Sequence, residues 1–245
     1  MDENPDSAAT MAPAPSIAKV SPRTKGALNQ HQVKSLDTAT QVAAAAKKAP
    51  YRAILLARKI TEAQLTELDT EIAGCRLEMG AAVKSDTAQR VFTKQESDAR
   101  VELLAGLREV QTAARQLFAR KQPEALKDYY VGEKLAVMNR ASLVQVADGI
   151  LQRLTDAELP GITPETVAAL QTQCDGYVQA NTDQLGAVAA SKAHREAAAR
   201  HLKAATDLRI EVQYAADAAY PFDKPTSAPI RTEFALPINR RFTTP

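Results

Sequence analysis

Only two cysteines, Cys75 and Cys174, occur in this chain of 245 residues. That excludes a disulfide framework and falls short of a zinc set. Each lies in an apolar helical pattern, beside Ile72 and Met79 in one case and Leu170 and Tyr177 in the other. Two buried free thiols are the expectation, with one disulfide joining them as the alternative. Imidazole is equally scarce, since His31, His194 and His201 are the only histidines. No Gly-x-Gly-x-x-Gly, phosphate loop or Cys-x-x-Cys is present, so no recognisable enzyme constellation emerges. His194 and His201 are seven apart and share one helical face, but the Glu-x-x-His repeat of di-iron bundles is missing. The expectation is no catalytic residue, no metal and no cofactor.

Charge of one sign is also lacking. Thirty-one basic and twenty-nine acidic residues leave a net charge of +2, which gives no electrostatic case for a nucleic-acid partner. No run of about 20 apolar residues exists to span a membrane. The start, Met1-Asp2-Glu3, is acidic where a secretory leader would be basic. A cytoplasmic site is the default expectation, with a place in an extracellular or particle assembly left open.

Proline is missing from the middle of the chain and crowded at its ends. Four prolines fall within the first 22 residues and five within the last 25, with only Pro50, Pro123, Pro160 and Pro164 between. Proline lacks the amide proton and clashes with the preceding turn, so proline-free intervals are where long helices can form. The two large ones are 51–122 and 165–220.

These intervals echo each other at a spacing of 102 residues. Ile60-Thr61 recurs as Ile162-Thr163, Leu68 as Leu170, Gly74 as Gly176, and Glu109-Val110-Gln111 with Ala113-Ala114 as Glu211-Val212-Gln213 with Ala215-Ala216. Thr61 with Gln64 reads as a capping box. Thr163 caps the second start, with Pro164 in the first helical position and Glu165 complementing the dipole. Core positions then step by three and four through Leu65, Leu68, Ile72, Cys75, Met79 and Ala82. The phase returns at Leu103, Leu107, Val110, Ala114 and Leu117. Between them it meets Asp86, Gln89, Thr93, Glu96 and Arg100, which are poor core residues.

Two readings compete for that gap. The helix turns back near Lys84–Thr87, or one helix of about 60 residues, roughly 90 Å long, has an exposed or polar-packed middle. No proline or glycine pair marks a turn, which favours the continuous helix. The second copy takes Val167, Leu170, Cys174, Tyr177, Leu185 and Val188 as its core, followed by an alanine-rich stretch to Ala199. Shorter helices are expected over 31–48 and Tyr51–Lys59, and one of about 25 residues from Tyr130 to Leu154.

The fold class expected is therefore all-α: an elongated helical bundle of pseudo-twofold form, built from an internally duplicated long-helix unit. Residues 1–23 read as an extended or disordered proline-rich arm, 24–220 as the bundle (copies about 60–122 and 162–220), and 221–245 as an extended C-terminal arm, a strap docked on its own bundle or on a neighbour. In that last arm Arg231–Leu236 alternates as a short strand does. Interface candidates are Tyr129, Tyr130, Phe222, Ile230, Phe234, Leu236, Ile238, Arg240, Arg241 and Phe242. The tyrosine pair reads either as an anchor or, for Tyr130, as the hydrophobic staple of the following helix. The function expected is a non-enzymatic structural subunit that assembles with itself into a filament, sheath or shell, by helix packing and arm exchange. The alternative is an adaptor binding another protein through a bundle face, and third comes an enzyme or ligand binder.

Overall fold

The computed structural model describes residues 28–156 and 158–244; the expected N-terminal arm, 1–23, lies outside them. The described residues are all-helical, without strands. In chain order they form α1 (Gln30–Ala46), α2 (Ala49–Ala57), α3 (Glu62–Phe118), α4 (Arg140–Asp156), α5 (Pro164–Ala219) and α6 (Ala228–Glu233), with 3-10 turns at Pro123–Tyr129, Leu135–Val137 and Pro225–Ser227.

α3 runs unbroken for 57 residues and α5 for 56, about 85 Å each. Thr61 and Gln64 close the capping box that starts α3, and the Thr163 side chain accepts from the Thr166 amide at the start of α5. The two rods lie antiparallel. Gln64 bonds Glu211, Glu71 meets His201, Glu78 meets His194, Asp86 meets Ser191 and Thr93 meets Gln184.

Each end of this hairpin has its own apolar core. At one end α1, α2 and the C-terminal segment close over Leu65, Leu68, Ile72 and Cys75 of α3 and Ala198, Leu202, Ala205, Val212 and Ala216 of α5. At the other, α4 and the segment before it cover Leu103, Leu107, Val110 and Ala114 of α3 and Leu170, Cys174 and Tyr177 of α5. The capping elements bond the rods at Asp69, Arg76 and Gln111 of α3 and at Thr206 and Gln213 of α5. Within each rod these positions are multiples of seven apart, so α1, the α4 segment and the C-terminal segment sit along one edge of the ribbon.

Residues 102 apart do matching work at opposite ends. Buried Gln111 donates Nε2 to the carbonyls of Tyr129 and Tyr130, and buried Gln213 donates to those of Phe234 and Ala235. Phe118 stacks on Tyr129 and Tyr220 stacks on Phe234. Tyr130 and Ala235 both adopt a left-handed backbone, at φ 53° and 50°. The amides of Val131 and Leu236 then reach back five residues to the carbonyls of Leu126 and Arg231.

Three expectations need correction, and the C-terminal arm takes one of its two expected dockings. The helix expected from Tyr130 begins only at Arg140, because Tyr130 and Gly132 (φ 101°) turn the chain and the Asn139 side chain accepts from the Ser142 amide at the helix start. Residues 228–233 are helical and not a strand, since Pro229 falls in the first turn, where its missing amide costs nothing. Leu185 and Val188 are exposed at 56% and 43%, because no third helix covers that part of the hairpin. The C-terminal segment, finally, is a strap closed on its own chain. Fully buried Arg231 donates to the carbonyls of Tyr220, Pro237 and Arg240 and pairs with Asp217 at 2.6 Å.

Candidate functional site

Between the two cores the hairpin narrows to two helices, and its inner seam becomes polar. No residue of α3 between Ala82 and Glu96 is buried. Asp86 accepts from Ser191 Oγ and from Arg195 Nη2, each at 2.5 Å. Gln184 donates to Thr93 at 3.0 Å and accepts from Arg140 at 2.8 Å. Arg140 also grips both carboxylate oxygens of Glu96 at 2.5 Å, a bidentate geometry that fixes α4 against both rods. One turn beyond Glu96, Arg100 donates to the carbonyls of Ala136 and Met138 at 3.1 and 2.6 Å. Asp86 and Thr93 thus find partners on α5 across the seam, and Glu96 and Arg100 on the α4 segment, which supplies the polar-packed middle that a single long helix requires.

Toward the α1 end the seam carries two histidine–carboxylate pairs. His194 Nδ1 lies 2.7 Å from Glu78 Oε2, and His201 Nδ1 lies 2.8 Å from Glu71 Oε2. Both members step by seven, so the pairs stack along one edge of the ribbon, opposite the capping elements. Gly74 makes room for the second pair, since a Cβ there would lie 2.9 Å from the His201 ring. Sequence spacing placed the histidines on one face, but their partners are 116 and 130 residues away and only the antiparallel register brings them in. Each imidazole is about one-third exposed. The groove between α1 and α3, lined by Thr40, Asp69 and Arg76, and the groove between α4 and α5 include neither histidine. Among the described residues no three His, Cys, Asp or Glu side chains gather as a metal site would need.

The cysteines are free and buried in opposite cores. Burial raises the Cys75 thiol, and burial with the nearby Asp148 carboxylate raises that of Cys174 to about 11. Both are therefore unreactive protonated thiols at neutral pH.

The sequence-nominated interface residues separate into two groups. Tyr129, Phe234 and Leu236 are core residues, and Tyr130, Ile230 and Phe242 are half-buried against the cores. Phe222, Ile238, Arg240 and Arg241 remain exposed on the strap. Sequence reasoning missed Arg231, which alternation had placed on a strand, and Gln111 and Gln213, whose recurrence was visible but whose bonds were not. No helix of the described residues is long and apolar enough to cross a membrane. The chain matches no family model, and no curated protein or solved structure is similar to it.

Proposed function

We propose that this protein is a non-enzymatic structural subunit that associates with copies of itself through the faces of its long hairpin, and that it is built from one helical unit used twice. The observation carrying this reading is the inversion at the waist. There the inner seam is polar, whereas Leu77, Val83, Val91, Leu185 and Val188 point outward, with Leu77 72% exposed. An amphipathic rod arranged this way gains by burying its outer residues against another surface. The matched glutamine clamps and stacked rings at the two ends support the duplicated unit.

Helix packing is assigned the main role, because Phe234 and Leu236 of the strap are buried within the chain and exchange of the strap would first break the Arg231 contacts. The near balance of charge favours protein over nucleic acid as the partner. Mass measured by light scattering across a concentration range tests the reading. Growth of the particle with concentration is expected; a monomer at every concentration would sink self-association and leave the adaptor reading.

A further inference from the structure

On α5 the residues Gln171, Val178, Leu185 and Lys192 are spaced by seven and form one stripe. The stripe has two halves of different character. Along Gln171 and Val178 it borders a groove shared with α4. Along Leu185 and Lys192 nothing among the described residues covers it, and both side chains stand in solvent.

The groove has two sections, at α5 positions one heptad apart. Its mainly apolar section, about 400 Å³, is lined by Arg140, Ala141 and Val144 of α4 and Tyr177, Val178 and Asn181 of α5. Two of these, Tyr177 and Asn181, carry buried oxygens without a hydrogen-bond partner among the described residues. The other section, about 380 Å³, is lined by Asp148 and Leu151 of α4 and Gln171 of α5. Asp148 brings a carboxylate there, bonded only by the weak Cys174 thiol donor at 3.9 Å.

We infer that the uncovered half of this stripe in one copy seats in the α4–α5 groove of a second copy, and reciprocally, to form a twofold dimer. The inference rests on the self-association proposed above and names its surface. Leu185 and Lys192 are seven residues apart, about 10 Å along a helix, and the groove sections at Val178 and Gln171 have the same separation. With the two α5 helices antiparallel, Leu185 falls on the partner's apolar section and Lys192 on its acidic one. The pairings 185 with 178 and 192 with 171 share one midpoint, near Asn181–Thr182. A single twofold axis therefore satisfies both contacts in both directions, as an isologous interface requires. Lys192 is matched by Asp148 in charge, and its present partner is only Glu196, at 4.0 Å on the same exposed helix face.

The test is sedimentation equilibrium on the full chain, with circular dichroism to confirm that each variant keeps its helices. Leu185→Glu places two carboxylates per dimer in mainly apolar sections whose cation, Arg140, is already held by Glu96 and Gln184, and is expected to raise the dimer Kd at least about a hundred-fold. Lys192→Glu and Asp148→Lys are each expected to raise it about five- to ten-fold. The double variant, with charges exchanged, is expected to return to within about three-fold of the original. If the protein associates but Leu185→Glu leaves its mass unchanged, or the exchanged pair is no better than either single variant, this interface is overturned and self-association stands. A protein that is monomeric at every concentration overturns both.

Discussion

Gln213 Nε2 donates to the carbonyl of Phe234 at 2.9 Å, tying the last turns of α5 to the strap across 21 residues. Both partners are buried, and Ala235 shares the same donor at 3.3 Å. Gln213→Leu takes this donor from the Phe234 and Ala235 carbonyls, and Gln111→Leu does the same at Tyr129, while the Tyr130 carbonyl keeps the Glu133 amide. Each substitution is expected to cost about 1–3 kcal/mol, read as a lower urea midpoint with the slope unchanged. A loss below about 0.5 kcal/mol at both would show that the clamps are not what holds these turns.

Arg209 supplies the opposite case. It is buried, burial lowers its pKa, and its Nε has no partner among the described residues. The residue 102 positions earlier is Leu107, fully buried. Arg209→Leu removes a guanidinium that lacks a carboxylate partner and is expected to stabilise the fold by about 1 kcal/mol or more. Thermal unfolding at a fixed protein concentration checks it, and a lower midpoint would contradict it.

Gly74 and Gly176 are an identical pair in sequence with different surroundings. A Cβ at Gly176 meets nothing within 4 Å, whereas one at Gly74 meets the His201 ring at 2.9 Å. Gly176→Ala is therefore expected to stabilise by about 0.5–1 kcal/mol through helix propensity. Gly74→Ala is expected to forfeit that gain, because the imidazole must shift against Glu71. Equal effects at both sites would mean that the ring moves freely.

Cys174 links stability to alkaline pH. Its folded pKa of about 11 lies above the ordinary thiol range, so between about pH 8.5 and 11 the unfolded chain releases a proton that the folded chain keeps. The contribution is fully present below that window and is lost as pH rises through it. Cys174→Ser, followed by denaturation at pH 7.5 and 10, is expected to flatten this fall. Thiol labelling at pH 8 should in turn be slow until denaturant is added, and rapid labelling of the native chain would contradict the burial.

Much of the architecture was legible from proline placement and cap chemistry, because both act within one turn of chain. Thr61 and Thr163 locate the starts of both rods, and the proline-free intervals locate their ends to within about four residues. The helix within the strap was not legible. Its prolines suggested extension, yet Pro229 needs only a first-turn position to permit α6, and Arg231 becomes a core residue solely because three carbonyls and Asp217 converge on it. Removing residues 222–245 is accordingly expected to lower the circular-dichroism helix signal and the unfolding midpoint together, since Phe234 alone stands for about 3–5 kcal/mol. Unchanged helicity in the truncated chain would restore the picture of a dispensable arm. The histidine–carboxylate pairs were equally hidden, because no local pattern reports a partner more than 100 residues away.

The two cores differ in how they are drawn from the chain. One joins side chains from Ala99 to Tyr177, a single uninterrupted stretch. The other draws on Leu28–Met79 and Ala198–Phe242; contacts within each segment close short loops, but joining the two segments closes a loop of more than a hundred residues. Chain entropy charges that closure first. Folding is accordingly expected to begin at the α4 end, with the hairpin zipping from its closed tip toward the half that holds α1 and the strap.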